Sequence, residues 1–309
     1  MANTDYQLII LGGGPAGLTA GLYAARDRLK VLLVEKGVVG GQVLVTDWID
    51  NYPGFPDGVT GNELIEKMAA QAERFGLEVK NDNVVKMELS EAVKKLTLES
   101  GDELTCQALI ICTGARPNKL KIPGEDEFAG RGVSYCATCD GPFFRDQEII
   151  VVGGGDTAIQ EADFLTKFAA KVTVVHRRET LRATRILQEK AFANQRIEFI
   201  WNSNVVAIEG KKEVERVKLR NNEGEEQEIS ASGVFILIGT IPNNEMLLLE
   251  QLGADKFGFI KTDDEMRTKV PGVMAAGDIR SKTVRQIVNG AGEGAVAAIA
   301  AEHYLSGLN

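Results

Sequence analysis

Residues that would build a metal centre or a disulfide scaffold are scarce here: 309 residues contain four cysteines and two histidines. Four cysteines cannot staple a chain of this length, so a secreted disulfide framework is excluded. The expectation is a reducing, cytoplasmic setting, in which a Cys-x-x-Cys pair is catalytic or metal-binding. Zinc would need further ligands, and Cys106 and Cys112 do not form a second such pair, so no metal is expected. A basic excess is also missing. Thirty-five Lys and Arg stand against 44 Asp and Glu, a net charge of -9, which argues against nucleic acid or an anionic membrane as partner. No apolar run approaches the roughly 20 residues that span a bilayer. The opening "MANTDYQLIILGGG" has no basic segment before its strand-length apolar run, so it is not read as an export signal.

What is present is one plan written twice. "YQLIILGGGPAGLTAGLYAA" reads as a strand, a glycine turn and a small-residue helix, followed by the strand "KVLLVEKG". "EIIVVGGGDTAIQEADFLTKF" and "KVTVVHRRE" repeat that order, and Gly12 to Glu35 spans as many residues as Gly153 to His176. Each copy continues into alternating segments with polar turns, which predicts antiparallel meanders. Each closes with an apolar strand, a glycine and Pro-Asn: "LIICTGARPN" and "VFILIGTIPN". The repeat predicts two similar three-layer α/β domains of Rossmann type, with 44% hydrophobic residues to fill both cores. The tail "VPGVMAAGDIRSKTVRQIVNGAGEGAVAAIAAEHYL" has no third unit to join, so it is expected to return to the first. The expected boundaries are 1–116 and 244–309 for the first domain, with 117–243 inserted.

In Gly12-x-Gly14-x-x-Gly17 the first glycine permits the tight turn and the second lets backbone approach a pyrophosphate. The third packs helix on strand, and Glu35 is placed to bind a ribose. Gly153-x-Gly155-x-x-Ala158 follows the same logic. Where the first copy has Glu35, however, the second has His176, then Arg177 and Arg178, with Arg182 nearby. A carboxylate would repel a ribose 2′-phosphate that guanidiniums bind, so the second site favours NADPH. FAD is the expectation for the first: Asp278 can bind a ribityl or ribose hydroxyl, and Arg285-Gln286-Ile287 opens a helix whose positive end suits a reduced flavin. Just ahead of the second turn stand Cys136 and Cys139, in "SYCATCDG". Cys106 and Cys112 are expected to be buried free thiols, on one face of their strand by parity.

The ordered set "GGGPAGL", "GGQ", "CATCDG", "GGGDTA", "HRRETLRA" and "AAGD…RQ…GEG" resembles the bacterial low-molecular-weight thioredoxin reductases over the full length. The resemblance implies a homodimeric FAD enzyme whose inserted NADPH domain carries a redox disulfide. It makes Cys139 the flavin-facing sulfur, Cys136 the thiol that attacks thioredoxin, and Asp140 the acid that protonates the departing thiolate. Among FAD contacts it implies Gly12, Gly14, Pro15, Ala16, Gly17, Glu35, Gly41, Gln42, Asn51, Val84, Thr113, Gly114, Gly277, Asp278, Arg285, Gln286 and Ile287. For NADPH it implies Gly153, Gly155, Asp156, Thr157, Ala158, His176, Arg177, Arg178, Arg182 and Gly239. In this family the disulfide and the nicotinamide reach the flavin in turn, by rotation of the inserted domain. Two positions depart from the pattern, Gln160 for a glutamate and Cys112 for an alanine. Relatives with the same cofactors reduce other thioredoxin-like or peroxidase partners. A dithiol oxidase would not need the arginines, and a redox-sensing flavoprotein would not turn over NADPH.

Overall fold

Six residues of alternating and then continuous apolar character, Tyr6–Leu11, form strand β1, and Pro15 opens helix α1 (Pro15–Arg26) immediately after the glycine turn. Proline suits this first helical position because its missing N–H would have no partner there. Strand β2 (Val31–Glu35) follows. Helix α2 (Gly61–Glu73) is capped by Thr60, whose hydroxyl accepts the Glu63 N–H at 3.2 Å. Strands β3 (Glu78–Asn81), β4 (Val84–Leu89), β5 (Lys94–Leu98), β6 (Glu103–Ile111) and the short β7 (Ala115–Pro117) complete the first stretch. The inserted stretch contains β8 (Val133–Ser134), α3 (Ala137–Asp140), β9 (Glu148–Val152), α4 (Asp156–Leu165), β10 (Lys171–Val175), α5 (Arg185–Ala193) and β11 (Ile197–Ile200). It continues with β12 (Ser203–Gly210), β13 (Val214–Asn221), β14 (Glu226–Ser230), β15 (Gly233–Ile236) and β16 (Thr240–Pro242). Helix α6 (Leu249–Leu252), strand β17 (Val273–Ala275) and the long helix α7 (Ile287–Ser306) form the tail.

This computed structural model describes residues 4–46, 48–90 and 92–308. Its contacts divide into two units, Met1–Arg116 with Ile241–Asn309, and Pro117–Thr240. In the first unit the sheet order is β3-β2-β1-β6-β5-β4, with β17 beside β6. Strands β3, β2, β1, β6 and β17 are parallel, and β4-β5-β6 form an antiparallel meander. One core lies between the sheet and helices α1, α2 and α7, and a second covers the opposite face. In the second unit the parallel sheet is ordered β11-β10-β9-β15-β8. Helices α4 and α5 cover one face, and the meander β12-β13-β14 covers the other. Each unit thus has three layers, and the tail is part of the first.

The repeat is geometric as well as textual. A Cβ on Gly12 would lie 2.4 Å from the Cys112 carbonyl oxygen at the end of β6. One on Gly153 would lie 2.6 Å from the Leu237 carbonyl oxygen at the end of β15. The two Pro-Asn closures are tied reciprocally: the Asn118 N–H donates to the Gly239 carbonyl at 2.9 Å, and the Asn243 N–H to the Gly114 carbonyl at 3.0 Å. Asn243 is therefore held by the first unit, and the observed division falls after Thr240, three residues earlier than the expected 243.

Cys106 and Cys112 are buried and free. They do not share a face: Cys112 packs in the helix-side core and Cys106 in the opposite one. Cys106 lies where β6 leaves its antiparallel pairing with β5 and runs on between β1 and β17, and strict alternation is lost across that change of partner. No helix among the described residues is long and apolar enough to cross a membrane.

Two expectations test this packing. Gly294 on α7 has no room for a side chain, since a Cβ would sit 2.1 Å from the Ala16 carbonyl oxygen of α1. Gly294→Ala is expected to cost about 1–3 kcal/mol by overpacking, read as a lower urea midpoint; an unchanged midpoint would contradict the contact. Burial pushes the Cys106 thiol up to about 12, and Cys112 also well above its ordinary value. At pH 8 a thiol of that acidity is ionised in roughly one molecule in ten thousand. Native protein treated with iodoacetamide without reductant should stay unlabelled, and unfolding in urea should expose both sites; label on either residue in the native protein would be the contrary result.

Candidate active site

Strand β8 delivers the chain into the redox motif. Cys136 has an extended backbone and stands at the N-terminal boundary of α3, and Cys139 lies in that single helical turn. The Cys-x-x-Cys spacing brings the two Cα atoms to 5.3 Å, and the sulfurs are joined as a disulfide. Ala137 between them is fully buried and fixes the turn against the core of the second unit. Both cysteines and Asp140 are half-buried.

Several polar groups converge on this turn. The Ser134 hydroxyl donates to Asp140 Oδ2 at 2.5 Å and accepts the Cys136 N–H at 3.1 Å. Thr138 Oγ1 lies 3.4 Å from Cys136 Sγ. From α4, Glu161 accepts the Ala137 N–H at 3.2 Å, and burial raises its carboxyl above the usual range. The Tyr135 hydroxyl donates to Glu125 at 2.9 Å. Burial, reinforced by that carboxylate, holds the phenol above its ordinary value. Glu125 is itself buried and accepts the N–H groups of Leu120 and Lys121 at 3.0 and 2.6 Å. Sequence reasoning singled out Cys136, Cys139 and Asp140 and missed Ser134, Thr138 and Glu161. The available signal for the first two was a hydroxyl two residues to either side of Cys136.

The first glycine turn is a tight one. Gly12 has φ +103°, and a Cβ on Gly17 would lie 1.9 Å from the Gly12 carbonyl oxygen. Gly14 faces open space at the start of α1, ahead of Pro15 and the buried Ala16. Glu35 accepts the Gly13 N–H at 2.6 Å and the Gly37 N–H at 3.0 Å, one on each oxygen. Each oxygen keeps a lone pair for a further donor. Gly41 and Gln42 begin a 3₁₀ turn, and a Cβ on Gly41 would be 3.6 Å from Gly14 Cα. Asn51 Nδ2 donates to Gln286 Oε1 at 3.2 Å, joining residues far apart in sequence. Thr113 and Gly114 are held by Asn243, which accepts the Thr113 hydroxyl on its carbonyl at 2.7 Å and donates from Nδ2 to the Thr113 carbonyl at 2.8 Å. Val84 is buried at the head of β4, in the core on the face away from α1.

In the tail, Gly277 has φ +80° and gives its N–H to Glu293 at 2.7 Å. Glu293 is paired with Arg280 at 2.8 Å and with Lys282 at 3.2 Å. Lys282 also reaches Asp278 at 3.3 Å. Burial nevertheless raises the Asp278 carboxyl, with Lys282 opposing it. The Arg285 guanidinium lies over the Phe259 ring, 4.4 Å from its centroid, and its Nε is buried without a partner among the described residues. Gln286 is the residue before α7, which Ile287 opens.

The second turn repeats the first with different chemistry. Gly155 faces open space ahead of Asp156 and Thr157, the first residues of α4, and Ala158 is buried. Asp156 Oδ1 accepts the Thr184 N–H at 2.6 Å. His176 is buried beneath the turn, where a Cβ on Gly154 would strike its ring. Its Nε2 is 3.1 Å from the Thr180 carbonyl, and burial lowers its pKa. Glu35 and His176 thus both floor the middle glycine of their turn, one by a hydrogen bond and the other by its ring. Arg177, Arg178 and Arg182 are exposed and form no ion pair among the described residues. The Arg182 N–H donates to the Gly154 carbonyl at 2.7 Å, which brings that residue to the turn. Gly239 has φ +108° and borders Asn118.

Comparison with known proteins fits this arrangement. The family model described as pyridine nucleotide-disulphide oxidoreductase matches residues 6–294. A thioredoxin reductase of Streptomyces coelicolor is 48% identical over 98% of this chain and 95% of its own length. One of Bacillus subtilis is 45% identical over 98% and 96%. The crystal structure of thioredoxin reductase from Streptococcus pyogenes superposes with a TM-score of 0.95 at 46% identity, covering 99% of this chain and all of that one. With its disulfide beside a repeated nucleotide-type turn, the chain belongs to the pyridine nucleotide-disulphide oxidoreductase family and, within it, to the thioredoxin reductases.

Proposed function

We propose that this protein is an NADPH-dependent thioredoxin-disulfide reductase, with FAD held by the first unit and NADPH by the second. The observation that carries the reading is the Cys136–Cys139 disulfide in the same unit as a glycine turn flanked by three exposed guanidiniums that form no ion pair among the described residues. When bound, the flavin supplies what no side chain can, taking up a hydride and releasing the electron pair to a disulfide.

The residues fit both cofactors. In the first unit, Gly12 and Gly17 leave no room for side chains while Gly14 is open, so backbone N–H groups at the start of α1 are accessible to a pyrophosphate. Glu35 has lone pairs left for ribose hydroxyls. Asp278 and the orphaned Arg285 Nε are buried polar groups that a bound flavin dinucleotide would satisfy. In the second unit, Gly155 is open in the same way, and Arg177, Arg178 and Arg182 would hold a 2′-phosphate.

On the protein side, the reduced Cys136 as thiolate forms a bond to one sulfur of the thioredoxin disulfide as that disulfide breaks. The departing sulfur leaves with the bonding pair and takes a proton from Asp140, which becomes a carboxylate. Cys139 gives its proton to solvent, from which Asp140 regains its own, and as thiolate displaces the second partner sulfur from Cys136. That sulfur takes a proton from solvent, and the Cys136–Cys139 bond is restored. Two thiols have become a disulfide, and one disulfide two thiols. A homodimer accords with this reading, since Tyr23 of α1 and Val296 and Ile299 of α7 are exposed apolar residues on the first unit. A cytoplasmic location accords with the economy of cysteine.

The direct test mixes purified holoprotein with NADPH and a panel of thioredoxin-like proteins and records which is reduced; no reduction of any would overturn the reading. Cys136→Ser and Cys139→Ser are each expected to abolish thioredoxin reduction while NADPH still bleaches the flavin. Retained thioredoxin reduction in either would contradict the exchange scheme. Removing a guanidinium from a phosphate costs on the order of 1.5–3 kcal/mol. Arg177→Ala with Arg178→Ala should therefore lower the ratio of NADPH to NADH turnover by at least about tenfold; an unchanged ratio would detach these arginines from the phosphate.

A further inference from the structure

Ser134 ends β8 and is 4% exposed, two residues before the first redox cysteine. Its oxygen accepts the Cys136 N–H at 3.1 Å. Its one hydrogen has two acceptors in reach, Asp140 Oδ2 at 2.5 Å and the Cys136 carbonyl oxygen at 3.3 Å. A hydroxyl offers one donor and two acceptor sites, so it cannot serve both acceptors at once. The protonation of Asp140 decides between them. While Asp140 is a carboxylate, the shorter, charge-assisted bond to Oδ2 holds the hydrogen. When Asp140 carries a proton, its own O–H donates to Ser134, and the serine hydrogen turns to the Cys136 carbonyl. That carbonyl also accepts the Asp140 N–H at 3.1 Å, so it is not stranded when the serine turns away. The Cys136 N–H keeps its acceptor in either arrangement.

We propose that Ser134 is a positioning residue for proton transfer: by swinging one hydroxyl hydrogen between Asp140 and the Cys136 carbonyl, it keeps Asp140 satisfied both with and without the proton it gives to a departing thiolate. The inference rests on the reading above in which Asp140 is the acid. A charge-assisted bond favours the ionised form, so loss of the hydroxyl raises the Asp140 pKa. Titratable groups beside the motif among the described residues include Cys136 just ahead of α3, Cys139 within it, Tyr135 on the approach and Glu161 on α4. All four remain in the variants below.

The test is the pH dependence of NADPH-driven thioredoxin reduction by the holoenzyme. Asp140→Asn identifies the limb that belongs to Asp140, the loss of activity as pH rises through its pKa. Ser134→Ala is expected to move that limb upward by about one unit, and Ser134→Thr, which keeps the hydroxyl, to leave it where the parent protein has it. A purely structural defect would lower the rate at every pH without moving the limb. If Asp140→Asn removes the limb and Ser134→Ala leaves it in place, the Ser134 proposal falls and the acid role stands. If Asp140→Asn leaves the profile intact, the acid role falls, and this proposal with it. Should Ser134→Ala not fold, Ser134→Thr decides: an unmoved limb supports the proposal, and a displaced one overturns it.

Discussion

The architecture depends on one close approach, made twice. At the end of β1, and again at the end of β9, backbone must pass so near the last carbonyl of the neighbouring strand that no Cβ fits. Only glycine allows that passage without a clash, and the helix that follows each turn starts beside a glycine that faces open space. The same two turns then set what lies beneath them. A carboxylate under the first and an imidazole under the second hold the middle glycine from below. The side-chain chemistry around each turn is thus written on a shared backbone solution.

Much of this was legible in the sequence. The repeated order of strand, glycine turn, helix and strand identified two α/β units, and the equal spacing from Gly12 to Glu35 and from Gly153 to His176 gave their alignment. The return of the tail followed from its having no third unit to join. What was not legible depends on contacts between distant segments. Asn243 reads as the close of the second copy, yet its hydrogen bonds go to Thr113 and Gly114, which moves the division of the chain by three residues. Parity misplaced Cys106 because β6 changes partners along its length. Glu161 shows no signal in isolation; its role appears only when α4 lies against α3 and its carboxylate meets the Ala137 N–H.

The redox turn is small, and its surroundings make it specific. A four-residue helix has too few internal hydrogen bonds to define itself. The N–H groups at its start are taken by Ser134 and Glu161, its first side chain fills the core, and its last residue is held by the same serine. The two carboxylates nearby do different work in this arrangement. Glu161 bonds to backbone and fixes position. Asp140 bonds to a hydroxyl that can reverse its direction, the feature on which its proposed proton transfer rests.

The two remaining cysteines give the chain a kind of fidelity. A protein whose business is disulfide exchange carries an attacking sulfur that does not distinguish in principle between a partner's cysteines and its own. Cys106 and Cys112 lie in the first unit, each sealed in a separate core, with their thiols held in the unreactive form by burial. A wrong internal pairing would first require the first unit to open. Selectivity against self-scrambling therefore comes from the free energy that holds that unit closed, and it should weaken as the unit itself weakens, long before the redox turn is touched.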